Sequence, residues 1–521
     1  MDDTSKISSG ISRRHLFGMT AGLLVTSQRA LAETPKPLRI SEFVTAHADD
    51  TNPVLHRAAE EAVARNTPLY IDQPVTFQLR WTPPKGLVLR GDGSERSRLD
   101  WKGQGDAVEV TQPFDIDGIT IDGGLDPRSD RSVGSFGCLF SIHGPMKGSP
   151  AYLSGIRIGH LRVRRTRSVG IVLANIENLT AGQIFVEDIF CNGLILSGLR
   201  NCDITQVTAS NIGDLKGTGH RRGSAVAIFS ETKPVASWYD TQRILPTDHL
   251  HIGHAEIAKT TDSAFYIHDD LQTGVHDVTI DSVHVDTAGK DGFKTRAGPR
   301  TVRVGTVTVE RSSLRGVDIE SDDVKIEQID VSHIGFDAVG AILGHPAPFS
   351  GRDATNESIQ THPNGLVIMG CSDVEIQRMK IADVASNPVT GAEGHGVHIS
   401  RAHRFKVKGD VIRCDGNGLR LSGSSDFDIE LDITDPCRGR LTQQAILLTP
   451  DKAGPNYDGT IRSQITHTSM NPPRFALDID DSCGINATIK IRPDNPSDGS
   501  MVIRDNSRKT CGAYSNDIKR R

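Results

Sequence analysis

The sequence predicts an all-β fold, a parallel β-helix in which short strands wind into a solenoid. Apolar-x-apolar segments recur from about residue 107 onward, a small residue opens each of them, and the clean repeats are 22 to 24 residues apart. Such a period with two or three strands per turn is typical of a parallel β-helix. The segments that open with glycine begin at Gly118, Gly170, Gly193, Gly292, Gly316, Gly340, Gly365, Gly396 and Gly418. A leucine-rich repeat has a similar period, but its leucine-asparagine ladder is missing. A β-sandwich would not keep this register.

The composition of the 521-residue chain is compatible with one long repeat domain. Each unit of a solenoid contacts only its neighbours, so a continuous repeat can fill this length. The net charge of -6 and the lack of a basic stripe interleaved with aromatic residues argue against nucleic-acid binding. After the first 35 residues no stretch is apolar for long enough to span a membrane. We expect a monomer.

The first 32 residues are interpreted as an export signal. Arg13 and Arg14 precede a modest apolar run at 18–26, and Ala-Leu-Ala at 30–32 supplies a small-x-small cleavage site. The paired arginines resemble a bacterial twin-arginine signal, with the usual Phe-Leu order reversed. This resemblance implies a periplasmic or extracellular protein.

Eight cysteines follow the signal, and their spacing contains no Cys-x-x-Cys. The spacing therefore predicts neither a zinc site nor thiol redox chemistry. An exported protein could pair some of these cysteines, and the sequence leaves open which of them form disulfides.

Residues 33–106 are expected to form an N-terminal cap. Apolar residues on one face predict a helix from Val54 to Asn66, and short strands follow at 69–71 and 87–89. This order, with the Asp-Asp-Thr before it and the Gly-x-Gly after it, resembles the opening of pectate-lyase-like right-handed β-helix proteins. The resemblance extends over nearly all of the chain after the signal. It implies a right-handed solenoid whose end the helix covers.

The remaining organisation follows from where the repeat is regular. The β-helix core is expected over 107–435, with loop insertions near 213–249 and 344–363 and with terminal coils and a tail over 436–521. Insertions in a solenoid emerge from turns and often wall a binding face.

Three consecutive repeats carry polar residues at alternate positions. Because alternate side chains of a strand point to opposite faces, Phe265, Phe293 and Val317 are expected to point into the core. The opposite face then presents a grid of polar residues, with rows roughly 5 Å apart. This polar grid consists of Tyr266, His268, Lys294, Arg296, Asp318 and Glu320. Six polar residues on three adjacent coils predict a functional site on this face.

Exported proteins of the superfamily that the chain resembles mostly act on polysaccharides, and the resemblance implies elimination, hydrolysis or epimerisation. Elimination from a uronate needs a base and a cation on the carboxylate. Lys294 is the expected base, with its pKa lowered by neighbouring positive charge. Arg296 or Arg315 would neutralise the carboxylate, and Tyr266 or His268 would assist at the leaving oxygen. A Lys and an Arg on adjacent coils resemble the catalytic pair of alginate and chondroitin lyases of this fold.

Carboxylates near the polar grid could hold a cation. Asp-Gly-Phe-Lys at 291–294 resembles the lysine-bearing segment of a calcium-dependent pectate lyase group. Asp269 and Asp270 would offer ligands together with Asp291, so calcium is a possible cofactor.

Hydrolysis is the alternative chemistry, and it uses two carboxyl groups roughly 5 to 10 Å apart. Asp318 with Glu320 could supply them, and so could Asp269 with Asp270. Gly-His-Gly at 394–396 resembles a polygalacturonase motif but lies far from the acidic pairs, so we interpret it as a turn. Epimerisation uses an Asp-Pro-His-Asp motif that the sequence lacks.

Substrate contacts are expected beyond the reacting residues. Asp318, Glu320, His398 and Arg420 fall at alternating positions on the same face and are predicted to bind an acidic polysaccharide. A lyase acting on such a chain is the favoured function.

A protein without catalytic activity is the remaining alternative, either a carbohydrate-binding or an envelope-structural β-helix. Its polar grid would then be a solvated ladder of cross-strand pairs, Lys294 with Asp318 and Arg296 with Glu320. If the grid is catalytic, Lys294→Ala is expected to abolish activity and leave folding intact, because an outward lysine supports no core.

Overall fold

The protein folds as a right-handed parallel β-helix, as the sequence predicts. A computed structural model describes residues 36–44, 52–125, 137–213, 223–230, 238–270, 274–335, 363–387, 391–439, 441–452, 454–468, 472–493, 501–507 and 516–520. The expected export signal lies outside the described residues, as does most of the predicted insertion at 344–363. No helix among the described residues is long and apolar enough to cross a membrane.

One α-helix, two short 3-10 helices and 33 strands form the described part of the chain. The helix α1 spans Asn52–Ala64, and the 3-10 helices span Ile40–Glu42 and Thr241–Arg243. The first strands are β1 (Leu38–Arg39), β2 (Leu69–Tyr70), β3 (Val75–Phe77), β4 (Leu87–Arg90), β5 (Arg98–Trp101), β6 (Val108–Val110), β7 (Phe114–Asp117), β8 (Ile119–Asp122), β9 (Cys138–His143), β10 (Ile156–Thr166), β11 (Val169–Glu177), β12 (Thr180–Ile189) and β13 (Leu194–Ile212). The next are β14 (Val226–Ser230), β15 (Asp248–Thr260), β16 (Phe265–Asp269), β17 (His276–Ala288), β18 (Asp291–Thr295), β19 (Arg300–Ser312), β20 (Arg315–Ile319), β21 (Val324–Ile334), β22 (Asn364–Met369) and β23 (Ser372–Val384). The last are β24 (His395–Ser400), β25 (His403–Cys414), β26 (Leu419–Ser422), β27 (Ser425–Thr434), β28 (Gln444–Thr449), β29 (Tyr457–His467), β30 (Phe475–Ile479), β31 (Cys483–Pro493), β32 (Val502–Asp505) and β33 (Asp517–Arg520).

From β14 onward, each coil consists of one short and one long strand. Short strands pair in parallel with short strands of the next coil, as in β16 with β18 and β18 with β20, and long strands pair in the same way. The pairing continues through β33, although the sequence pattern fades beyond Asp435. The predicted insertion at 213–249 is not a single loop, because β14 lies inside it.

Residues in the left-handed region form the corners between short and long strands. Asp277 (φ 52°), Asp323 (φ 53°) and Asp373 (φ 61°) occupy equivalent corners of three coils. Asp and Asn tolerate this conformation better than most residues because their short polar side chains bond locally. The Asp and Asn residues that interrupt the apolar segments therefore mark the corners of successive coils, and their spacing follows the period of the repeat.

Several short strands open with a glycine that lies close to the backbone of the next coil. A Cβ on Gly316 would lie 2.6 Å from the carbonyl oxygen of Gly365 in the next coil and would also clash with Val331. Gly292 and Gly396 have the same relation to the coil that follows each of them. The small residue at this position thus sets the packing distance between coils.

Gly316→Ala is expected to lower the free energy of unfolding by about 1–3 kcal/mol, because the new methyl group overpacks the strand opening. Thermal denaturation measures the effect. Ala264 precedes Phe265 as Gly292 precedes Phe293 in the paired strand, so Ala264→Gly is the control. It should cost only about 0.5–1 kcal/mol of backbone entropy. Equal stability of the Gly316→Ala variant and the unmodified protein would contradict this account.

The core runs along the inside of the solenoid, and α1 packs against its first coils. Leu55, Ala58, Ala59 and Ala62 on α1 are fully buried. The inward positions predicted for the three central repeats are confirmed, since Phe265, Ile267, Phe293, Thr295, Val317 and Ile319 are all fully buried. The rings of Phe265 and Phe293 stack with centroids 5.7 Å apart.

The described cysteines are mostly buried thiols. Six of the described cysteines are buried and form no disulfide, namely Cys138, Cys191, Cys202, Cys371, Cys414 and Cys437. Cys483 is disulfide-bonded. Cys511 lies outside the described residues.

Candidate active site on the outer sheet face

The short strands align one row of outward residues along the solenoid. Strand register places Tyr266 beside Lys294 and Lys294 beside Asp318. The same register continues through Val367 to His398 and Arg420. We call these six positions the outer row. The predicted alignment of Tyr266, Lys294 and Asp318 is therefore confirmed.

A second row lies two residues further along the strands. The backbone N–H of Arg296 donates to the carbonyl of Ile267, and that of Glu320 donates to the carbonyl of Thr295, both at 2.9 Å. The ladder thus continues past the short strands and sets His268, Arg296 and Glu320 in line. The six residues of the predicted polar grid therefore align in two neighbouring rows on the sheet.

The grid is not the solvated surface that outward positions suggest. Lys294 is 7% exposed, Arg315 is 8% exposed and Asp318 is fully buried, while Glu320 is half-buried. Lys294 Nζ lies 2.6 Å from Asp318 Oδ2 and 3.0 Å from Glu320 Oε1. Arg315 Nη1 contacts Asp318 Oδ2 and lies 3.3 Å from Glu320 Oε1. We call these four residues the buried ion-pair network.

The network differs from the predicted ladder in one pair. Lys294 with Asp318 forms as expected, whereas Glu320 bonds to Lys294 and Arg315. Arg296 is exposed, and Tyr266 nearby raises its pKa. Arg315, which the sequence places only at a turn edge, becomes a full member because β20 begins with it, close to Asp318.

The lowered pKa expected for Lys294 is wrong. Burial lowers the pKa of Lys294, but the negative charges of Asp318, Asp291 and Glu320 outweigh burial and raise it. The pKa of Arg315 is raised for the same reason. Lys294 is therefore held as an ammonium ion that cannot accept a proton near neutral pH.

The carboxyl groups of the network have opposite pKa shifts. Burial alone would raise the pKa of Asp318, but Arg315 and Lys294 lower it to about 2. The pKa of Glu320 is raised by its own burial and by the negative charge of Asp318. Such a split separates an ionised carboxylate from a carboxyl group that can carry a proton.

An aromatic pair adjoins the network. The rings of Tyr266 and His268 stack with centroids 4.4 Å apart, and His268 Nδ1 lies 3.4 Å from Asp270 Oδ1. Burial lowers the pKa of His268, so its imidazole is neutral at pH 7. Burial also raises the pKa of Tyr266 to about 12, so its phenol is protonated. The pKa of Arg296 is raised chiefly by Tyr266 and further by the negative charges of Asp270 and Glu320.

The three predicted calcium ligands are not brought together. Asp269 ends β16 and Asp291 begins β18, six residues apart in register, which is roughly 20 Å along the strands. A calcium ion binds oxygens at about 2.3–2.6 Å and cannot bridge this gap. Asp269 Oδ2 instead accepts from the backbone N–H groups of Gly274 and Val275. Asp291 is fully buried, and burial raises its pKa.

Among the described residues, a different group meets the spacing for a metal ion. One ligand atom from each of Asp248, His249 and Asp277 lies within 4.8 Å of the others. These residues lie where long strands begin, away from the polar grid.

Apolar side chains cover the outer face on the N-terminal side of the polar grid. Val172, Ile195 and Ala227 occupy the outer-row register in earlier coils and are buried beneath Tyr239 and Ile244. Tyr239 hydroxyl pairs with Ser197 Oγ at 2.8 Å. The described end of the predicted first insertion thus lies over the coils before the grid.

His395 is the residue that sequence reasoning dismissed. It begins β24, its Nδ1 accepts from the backbone N–H of Asn417 at 3.0 Å, and its Nε2 lies 3.4 Å from Arg420 Nη1. The sequence could have placed His395 at the start of a short strand, because it directly precedes Gly396, one of the glycines that open these strands.

Comparisons with known proteins show similarity in structure only. No protein-family profile and no curated protein sequence matches the chain. The catalytic unit of a thermostable GH87 α-1,3-glucanase from Streptomyces thermodiastaticus strain HF3-3 is 13% identical with a TM-score of 0.36, over 91% of this chain and 68% of that one. The A-module of the mannuronan C-5 epimerase AlgE6 from Azotobacter vinelandii is 9% identical with a TM-score of 0.33, over 93% and 99%. The receptor-binding domain of the siphovirus 9NA tailspike is 9% identical with a TM-score of 0.32, over 91% and 79%.

Proposed function

We propose that the protein is an exported, monomeric enzyme that cleaves a polysaccharide by hydrolysis at the face around Glu320. The observation that carries the proposal is the state of Glu320. Its carboxyl group is the one in the buried ion-pair network that reaches solvent, with a side chain 20% exposed, and its pKa is raised. A carboxyl group that keeps its proton and can touch a substrate is what a general acid requires.

Glu320 is held in position by its neighbours. Lys294 Nζ at 3.0 Å and Arg315 Nη1 at 3.3 Å contact one carboxyl oxygen, Oε1. Asp318 is the more tightly bound partner of both cations, so they do not force ionisation of Glu320. We assign the second oxygen of Glu320, Oε2, to protonation of the leaving glycosidic oxygen.

Asp270 is the base in this mechanism. Its side chain is 28% exposed. The strands that carry Asp270 and Glu320 are two rows apart, and Asp270 also lies two residues further along in register, so the two backbone positions are roughly 12 Å apart. Side chains that converge from this distance match the wider carboxyl spacing of inverting glycosidases, about 6.5–9.5 Å, which admits a water. Asp270 would deprotonate the attacking water, and Arg296 and Tyr266 would orient the sugar.

Elimination is the second candidate, and the Tyr266–His268 stack favours it. A neutral imidazole could take the proton beside a uronate carboxylate, and the phenol could protonate the leaving oxygen. Arg296 is exposed and could neutralise the substrate carboxylate. Lys294 has no part as the base, because its pKa is raised.

One experiment separates the two reactions. The mature protein would be incubated with a panel of neutral and acidic polysaccharides, with and without calcium. New reducing ends without an unsaturated, ultraviolet-absorbing product would support hydrolysis. An unsaturated uronate product would support elimination, with His268 as the base and Tyr266 as the acid. Neither product across the panel would refute cleavage and favour a carbohydrate-binding β-helix.

A further inference from the structure

Arg420 differs in its ion pairing from the other cations in and near the outer row. Lys294 and Arg315 are bound to carboxylates, and Arg504, further along the same register, pairs with Asp478 at 2.6 Å. Arg420 forms no ion pair with any carboxylate in the part of the chain that the structure describes. It is nevertheless half-buried, and its Nε is buried without a hydrogen-bond partner among the same residues.

The neighbouring histidine adds a second donor at the same place. A backbone N–H can only donate, so the bond from Asn417 N–H makes His395 Nδ1 an acceptor. The proton of the neutral imidazole must then be on Nε2. Arg420 Nη1, which also can only donate, lies 3.4 Å from that Nε2. Both nitrogens are donors, so Arg420 Nη1 gains no hydrogen bond from His395, and an acceptor oxygen beside Arg420 would supply one.

We propose that Arg420 and His395 form a subsite for an anionic group, a carboxylate or a sulfate, carried by the sugar chain. The fork of a guanidinium matches the oxygens of such a group, and the partly desolvated position strengthens the bond. Burial lowers the pKa of Arg420, as is expected for a cation with no anion beside it. An anionic ligand would supply the missing charge.

The subsite and the proposed reaction centre share one face of the β-helix. Arg420 lies three rows from Asp318, roughly 14 Å along the solenoid axis. A sugar chain laid along the outer row would span this distance with several units. The inference rests on the proposed function in this respect, and it narrows the substrate to a polysaccharide with anionic groups away from the cleaved bond.

Binding, measured apart from turnover, tests the subsite. Isothermal titration calorimetry would compare oligosaccharides of a polyuronate, of a sulfated galactan and of a neutral glucan on the full-length mature protein. Arg420→Gln is expected to weaken binding of one anionic probe by roughly 10- to 100-fold, the range for a hydrogen bond to a charged group. Preference for the polyuronate or for the sulfated chain identifies the anion.

Two further variants make the result specific. Arg420→Lys keeps the charge but loses the fork, so its affinity should fall between those of the unmodified protein and Arg420→Gln. It also serves if Arg420→Gln fails to fold. Arg413→Gln removes an exposed arginine that pairs with Asp383 on a long strand, and it makes the same change in net charge. This control should bind as the unmodified protein does.

Several results would overturn the inference. They are failure of the unmodified protein to bind either anionic probe, equal affinities of the Arg420→Gln and unmodified proteins, and equal losses in Arg420→Gln and Arg413→Gln. Binding that depends on Arg420 in a protein that cleaves nothing would uphold the subsite and refute the proposed hydrolysis, so the two failures are distinguishable.

Discussion

Glu320→Gln is expected to lower kcat of the proposed hydrolysis by ~10²–10⁴-fold, because the amide cannot protonate the leaving oxygen. The substitution keeps the size of the side chain and its contacts with Lys294 and Arg315, so KM and thermal stability should change little. Reducing-end release gives kcat and KM on the substrate found by the polysaccharide panel. Glu327→Gln, at an exposed position on β21, is the matched control and should be as active as the unmodified protein.

The pH profile gives an independent check on Glu320. A general acid must be protonated, so activity should fall as pH rises through its pKa, which lies above the ordinary value for glutamate. The alkaline limb of kcat/KM should therefore disappear in Glu320→Gln. A variant with normal turnover, or one that keeps the alkaline limb, would exclude Glu320 as the acid.

Lys294→Met is expected to lower the free energy of unfolding by about 3–5 kcal/mol. Removing one partner of a buried ion pair leaves the other charge in a poorly solvated place, and here Asp318 is fully buried. The expectation that an outward lysine supports no core does not hold for Lys294, because Lys294 is buried and its ammonium group lies 2.6 Å from the buried carboxylate of Asp318. Chemical denaturation followed by circular dichroism measures the loss.

The neighbouring long strand supplies the control for this prediction. Lys325 pairs with Glu375 at 3.3 Å, and both side chains are more than a third exposed. A surface pair of this kind contributes about 0–1 kcal/mol, so Lys325→Met should change stability only slightly. Equal effects of Lys294→Met and Lys325→Met would mean that the network is solvated and would refute its structural role.

The sequence by itself determined which residues lie inside the coil and which neighbours meet across it. Alternation is a local property of a strand, and a fixed period brings equivalent positions of successive coils together. The burial of Phe265 and Phe293 and the pairing of Lys294 with Asp318 followed from these two rules alone. The glycines that open the strands were visible for the same reason, since every coil repeats the same close approach.

The burial and the pKa shifts of the outward residues depend on the tertiary structure. The burial of Asp318, the raised pKa of Lys294 and the entry of Arg315 into the network depend on charges and cover contributed by several coils at once. Alternation says that a side chain points outward, but it does not say whether water reaches it. The sign of a pKa shift is a balance between desolvation and neighbouring charge, and that balance exists only when the coils are stacked. For this reason Lys294 is a fixed cation and not the predicted base, while the carboxyl group with the raised pKa is that of Glu320.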